Sequence, residues 1–207
     1  MSERDAALSE ALRRGLREAR REELGSLAAL LSRAFAADPV YRWLLPDDGR
    51  WPRASAVLFG EILELFAATG LVLTDAAGAG VSLWSPPEAP PRGLPISLRL
   101  VLRLGLAVGR LARLGATLAP FAAREPHWYL AVVATAPERR RSGVATRMLE
   151  PILARCDAAL LPAYLETGAA ANLAFYERRG FRVVGETRPR RGGPVIWALR
   201  RGVGRDR

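Results

Sequence analysis

The sequence has no lysine, a single cysteine and a single histidine, and nowhere do about 18 uncharged apolar residues run together. Each absence closes off a class of function. Cys156 alone cannot form an internal disulfide or a multi-cysteine metal site, and its setting in ILARCDAAL is that of an ordinary core helix. No metal centre is expected. Without a long apolar run no helix should span a membrane. The opening MSERDAALSEALRR has neither an apolar h-region nor a small-residue cleavage site, so no secretory signal is expected and the location should be cytoplasmic. No Pro/Gly/Ser-rich linker divides the 207 residues, half of which are apolar. The expectation is one domain over residues 15–201, preceded by a helical or disordered arm (residues 1–14) and followed by a short tail (residues 202–207).

The formal charge of +10 invites a nucleic-acid reading, because clustered cations supply the sequence-independent part of such binding. Its content argues otherwise. All the basic charge is arginine, in a chain heavy in Ala, Gly, Leu and Pro, as GC-rich coding produces whatever a protein does. No aromatic-interleaved basic groove or recognition-helix pattern accompanies it, so nucleic acid is not an expected partner. Arginine does cluster at Arg139, Arg140 and Arg141, at Arg188, Arg190 and Arg191, and in the tail.

Along the first half, a short strand near residues 16–19 precedes a helix with Leu24, Leu27, Leu30, Leu31 and Phe35 on one side. A turn-rich DPVYRWLLPDD with a short helix follows, then an amphipathic helix over residues 54–68. GLVLTD and GVSLWSPP, separated by the small-residue turn AAGAG, predict an antiparallel hairpin, and the Pro-rich PPEAPPRGLP an exposed loop. Residues 97–118 predict a helix, bent near Gly105 or Gly109, with Arg99, Arg103, Arg110 and Arg113 on one face. Such a basic amphipathic helix can lie on a membrane, dock a partner, or pack its apolar face on the domain and wall a pocket.

The second half carries the chemistry. HWYLAVVATAP is apolar on both faces, as for a strand in the middle of a sheet. Pro137 and Glu138 turn it, and after RRRSG the residues Val144, Met148, Leu149, Ile152, Leu153 and Cys156 keep helical spacing. The first amides of such a helix lack internal partners and lie at the positive end of its dipole, so they attract phosphate oxygens. Gly143 allows close backbone approach, and the neighbouring arginines add charge-assisted donors. Further on, Asn172 and Tyr176 are four apart before Gly180 and so face the same way on a helix.

The run Arg140, Arg141, Ser142, Gly143, Val144, Ala145 resembles the Arg/Gln-x-x-Gly-x-Gly/Ala signature with which GNAT N-acetyltransferases bind the pyrophosphate of acetyl-CoA. With HWYLAVVATAP, PAYLETG and NLAFYERRGF, and upstream LREARREEL, LLSRAFAADP and AGVSLWSPPEA, the likeness covers roughly residues 15–187. Within the GNAT superfamily these motifs resemble those of the puromycin N-acetyltransferases and their antibiotic-modifying relatives. Arg141 stands where glycine is common, Ala145 where the last glycine is usual, and Pro151 lies inside the expected helix.

The resemblance implies an α/β (α+β) fold: a mixed, mostly antiparallel sheet of six or seven strands flanked by helices, with two central strands splayed at the cofactor site. It implies acetyl-CoA as co-substrate, held by the backbone of Val133, Ala134 and Thr135, by the loop from Arg140 to Ala145 and by Asn172, with Tyr176 protonating the leaving thiolate. A phenol suits that task because it stays protonated at neutral pH. Glu166, on the same strand face as Tyr164, is the candidate base for the acceptor amine, with His127 or a water as alternatives. Direct transfer in a ternary complex follows, since neither Cys156 nor any serine has an evident base at hand. The acceptor should be a small-molecule amine, with a peptide amine or a non-catalytic acyl-CoA-binding role as other readings, and the protein a monomer or homodimer.

Overall fold

The computed structural model describes residues 2–89, 98–190 and 192–202. Most of the Pro-rich loop and of the arginine tail, and Arg191, lie outside them.

The chain opens with α1 (Glu3–Arg13), whose N-terminus is closed by a reciprocal cap: Asp5 N–H donates to Ser2 Oγ, and Ser2 N–H donates to the Asp5 carboxylate. After β1 (Leu16–Glu18) come α2 (Leu24–Ala34), α3 (Pro39–Leu44) and α4 (Trp51–Thr69). Helix α4 begins before the predicted residue 54 because Pro52 sits in its first turn, where a missing N–H costs nothing. Strands β2 (Leu71–Asp75) and β3 (Gly80–Ser85) form the predicted antiparallel hairpin. Where one bent helix was expected over residues 97–118, there are two, α5 (Leu98–Leu104) and α6 (Ala107–Leu118). They part at Gly105, whose φ of +53° no continuing right-handed helix adopts. The rest is β4 (Trp128–Thr135), α7 (Val144–Ala159), β5 (Ala163–Thr167), α8 (Leu173–Glu177), β6 (Phe181–Thr187) and β7 (Ile196–Arg201). Helix α7 runs unbroken past Pro151, and the carbonyl of Met148 in the turn before it accepts a bond from Ser82 Oγ at 3.2 Å.

The seven strands form one sheet in the order β1-β2-β3-β4-β5-β7-β6, antiparallel throughout except for β4 and β5. One face carries α1 and α7 over a core that includes Trp84, Trp128, Met148, Leu165 and Phe181; Ala7 and Ala11 of α1 are fully buried in it. The other carries α2 and α4 over Leu31, Phe59, Leu63, Val81, Leu83 and Val132. A smaller cluster joins α3, α4, α5 and α6 through Leu44, Trp51, Leu58, Leu104 and Ala107.

Strand β4 contains an irregularity on which the site depends. Leu83 of β3 opposes Val132 and Trp84 opposes Leu130, which leaves Ala131 as an extra residue. In a regular strand Trp128, Leu130, Val132 and Ala134 would share a face. Here Trp128 and Leu130 join the α1/α7 core, while Val132 and Ala134 join the α2/α4 core. The parallel pairing of β4 with β5 stops at Leu130 opposite Leu165, immediately before this bulge, while β5 stays paired with β7 as far as Thr167. From residue 131 onward the β5-facing backbone of β4 therefore has no strand partner.

Gly80 lets α7 approach this region: a Cβ there would lie 2.4 Å from Val144 Cγ1, on a β-branched side chain with little room to turn. Gly80→Ala is expected to lower stability by about 1–3 kcal/mol through overpacking; an unchanged denaturation midpoint would show that the helix is not held so tightly.

Candidate active site

Two adjoining cavities open where β4 and β5 part. The first, of about 200 Å³, is lined by β4 and β5 backbone and side chains together with Asp38, Asn172 and Tyr176. The second, of about 480 Å³, is lined from α4, from the end of α6 and by His127 and Tyr164. Tyr41, Tyr129 and Glu166 belong to the walls of both. Helix α6 lines the first cavity with Leu111, Leu114 and Leu118 and the second with Gly115 and Leu118, so this segment walls a pocket.

At the junction the Tyr129 hydroxyl donates to Glu166 Oε2 at 2.6 Å. Burial raises the Glu166 carboxyl above the ordinary carboxylate range, and the bond from Tyr129 works against that rise by favouring the anion. Tyr129 is itself pushed well up, first by burial and then by the negative carboxylate, so the phenol keeps its proton and remains a donor. A carboxylate so placed is a better proton acceptor than one in water.

Tyr164 shares the Glu166 face of β5, as the pleat requires, but its hydroxyl is engaged elsewhere. It donates to Glu125 Oε1 at 2.5 Å and accepts from Arg200 Nε at 2.7 Å. His127 is buried, its ring 4.9 Å from that of Tyr164 in an edge-on contact. Its Nδ1 lies 2.7 Å from the Glu125 carbonyl oxygen, which can only accept, so Nδ1 carries a proton there. Although it precedes β4, His127 lines the second cavity along with Glu166.

Tyr176 is buried against Phe175 and Phe181 and lines the first cavity. Burial raises its phenol and the charge of Asp38 adds to the rise, so it is protonated at neutral pH. Asp38 caps α3, its Oδ1 accepting from the amides of Val40 at 2.9 Å and Tyr41 at 3.1 Å. Of Asp38, Asp47, Asp48 and Glu61, acidic residues of the first half of the chain, Asp38 alone lines either of these cavities. Asn172 lies in a 3-10 turn, Ala170–Asn172, leading directly into the short α8, yet lines the same cavity as Tyr176. Cys156 is fully buried in the α7 core, its thiol pushed up to about 12 by burial, and takes no part here.

The loop before α7 has the form of an anion cradle. Gly143 takes φ +80° and Arg141 φ +61°, and no side chain caps the helix N-terminus, leaving its first amides available. Ser142 Oγ donates to the Arg139 carbonyl at 2.6 Å and Arg147 to the Ser142 carbonyl at 3.3 Å. The Arg140 guanidinium turns to the Ala34 carbonyl at the end of α2, at 2.8 Å, so it ties the loop to that helix. Arg179 lies over the Phe175 ring at 3.7 Å and donates to Thr146 in the first turn of α7, bringing a part-buried cation beside the loop. At the end of β4, Thr135 Oγ1 is buried with no partner. Free strand backbone, an orphaned hydroxyl and an uncapped helix start together fit a ligand with an extended amide arm and a pyrophosphate. Among the described residues, no group of His, Cys, Asp and Glu could hold a metal ion, and no helix is long and apolar enough to cross a membrane.

The family model described as an acetyltransferase (GNAT) domain matches residues 116–184, from the end of α6 through the loop and α8 into β6. An uncharacterized N-acetyltransferase of Schizosaccharomyces pombe is 32% identical over 173 residues, covering 74% of this chain and 68% of that protein. The chain belongs to the GNAT acetyltransferases. It is an acetyl-CoA-dependent N-acetyltransferase. The crystal structure of histone acetyltransferase HPA2 and related acetyltransferase from Corynebacterium glutamicum is similar, at 26% identity and a TM-score of 0.70 over 90% of this chain and 94% of that one. Arylalkylamine N-acetyltransferase 2 of Aedes aegypti shares the GNAT fold at a TM-score of 0.62, with 10% identity over 91% of this chain and 98% of its own.

Two residues with evident positions in this GNAT site escaped sequence reasoning. Tyr129 reads as one more β-prone residue, and only the parallel register, Tyr129 opposite Tyr164, brings it to Glu166. Arg179 stood in plain view in FYERRGF, among too many arginines to single out.

Removing the Tyr129 hydroxyl isolates its electrostatic effect. Its bond lowers the Glu166 pKa against the rise due to burial, so Tyr129→Phe should move that titration to higher pH. Carboxyl-carbon NMR across a pH series measures this directly. A midpoint that stays put or falls would mean that the two groups are not coupled in solution.

Proposed function

We propose that the enzyme transfers the acetyl group of acetyl-CoA directly to the primary amine of a small molecule within a ternary complex. Glu166 takes the proton from the attacking amine and Tyr176 gives one to the departing thiolate. The observation that carries this reading is the meeting, on one cavity at the gap between β4 and β5, of a carboxyl raised by burial and a phenol kept protonated. In the step, the amine nitrogen bonds to the acetyl carbonyl carbon, the carbon–sulfur bond breaks, one proton passes to Glu166 and one leaves Tyr176. No covalent enzyme intermediate is needed, and positioning of the two reactants supplies most of the acceleration.

In the same reading Val133, Ala134 and Thr135 offer strand backbone to the pantetheine arm, residues 140–145 receive the pyrophosphate, and Asn172 supports the cofactor beside Tyr176. Arg140 contributes by fixing the loop to α2, and Arg179 supplies the nearby positive charge. Two lines favour a small acceptor over a peptide: α6 contributes a wall to both cavities, and their walls are largely apolar side chains. A peptide acceptor is the second reading, favoured by the 26% likeness to the C. glutamicum histone acetyltransferase HPA2 and related acetyltransferase.

The decisive variant is Tyr176→Phe, which keeps the ring and removes the proton. It is expected to lower kcat by about 10²–10⁴-fold, the usual worth of a positioned acid, while calorimetric acetyl-CoA affinity stays within a few-fold. Full turnover in the variant would remove Tyr176 from the chemistry.

A further inference from the structure

The larger cavity has a chemistry distinct from the gap itself. Ile62, Leu65 and Phe66 of α4, with Leu118 and Phe121 beyond them in the chain, give it an apolar lining, and Glu166 is the one carboxylate among its described lining residues. The position of Phe121 depends on a glycine near the sheet edge. A Cβ built on Gly185 of β6 would fall 2.2 Å from Phe121 Cε1 and 2.9 Å from Cδ1, so the ring rests on bare backbone there. Gly185 adjoins a register shift in the β6–β7 pairing, where Val184 is the extra residue, so the backbone that receives the ring is itself a local device of the strand.

Charge points the same way as shape. A polyamine, an aminoglycoside or a lysine-rich peptide would bring several ammonium groups towards a protein of net charge +10 and into a cavity with one carboxylate. Within that cavity all but one of those ammonium groups would be desolvated without a carboxylate partner, Asp38 lying on the wall of the first cavity, and an unpaired buried ammonium is costly. An amine on an apolar body places its single charge at Glu166 and the remainder against leucine, isoleucine and phenylalanine.

We propose that the acceptor is a singly charged primary amine carried on an apolar body of about ring size, and that Gly185, by seating Phe121, is a specificity-determining residue. This rests on the reading of Glu166 as the point where the amine is received. The cavity wall then acts as a filter: side-chain bulk at residue 185 pushes the Phe121 ring off its seat and alters the space the acceptor body fills.

The test uses the whole protein. Acetyl-CoA binding is measured first by calorimetry, and CoA release is then followed with 2-phenylethylamine, ethanolamine, spermidine and a lysine-rich peptide. The expected result is a kcat/KM for 2-phenylethylamine at least about tenfold above each of the others, the scale on which apolar pockets discriminate. Spermidine, the peptide or ethanolamine equalling it would overturn the proposal. Absence of acetyl-CoA binding would instead remove the transferase site on which the proposal rests, a separate and distinguishable failure. Gly185→Ala is expected to raise KM for 2-phenylethylamine with acetyl-CoA affinity unchanged. Phe121→Ala should do the same without touching the strand, and in its background Gly185→Ala should add nothing, since the clash has gone. Additive effects of the two substitutions would show that Gly185 acts through some other contact and overturn its role as the seat.

Discussion

A single extra residue in β4 shapes the site. Ala131 breaks the two-residue alternation, and the strand that buries Trp128 and Leu130 under α7 goes on to bury Val132 and Ala134 under α4. That change of face coincides with the end of pairing to β5, which continues along β7 instead. The gap is thus a consequence of two strands each keeping its better partner. Both cavities, the unpaired strand backbone and the meeting of Tyr129 with Glu166 lie along it.

The electrostatics of the site depend on the same enclosure. In a chain so rich in arginine, an exposed carboxylate is soon paired, as Glu10, Glu23 and Glu3 are. Glu166 instead meets only a phenol, which steadies its charge without neutralising it, so burial leaves it raised and available. The cations near the site are occupied in building it. Arg140 fastens the loop to α2, Arg179 bridges α8 to the first turn of α7, and Arg200 holds Tyr164 with Glu125. Their hydrogen bonds run to carbonyls, hydroxyls and a carboxylate, and the carboxylates that line the two cavities are those of Asp38 and Glu166.

Much of this was legible in the residues because it is local. The strand, turn and helix from β4 to α7 announced itself through period, a glycine at the helix start and the Arg-rich turn, and the hairpin through its small-residue turn. The helix over residues 97–118 was legible as an apolar face with an arginine stripe and a bend near Gly105 or Gly109, while the choice of Gly105 and the full division into two helices were not, since a positive φ depends on how the two halves dock. Glu166 could be placed on a face but not given a partner, because Tyr129 reaches it only through a parallel register set by tertiary packing. The bulge at Ala131 was invisible for a similar reason: a run apolar on both faces looks the same with or without one extra residue. The seat of Phe121 on Gly185 joins residues far apart in the chain and carries no local signature at all.

The proposed site puts acetyl-CoA in the gap between β4 and β5 with its pyrophosphate at the start of α7. Amide hydrogen exchange with and without acetyl-CoA reads this along the whole backbone. Added acetyl-CoA is expected to slow exchange in residues 131–135 and in residues 140–147, with little change along β1, β2 and β6. Protection absent from those two segments, or concentrated elsewhere in the sheet, would contradict it.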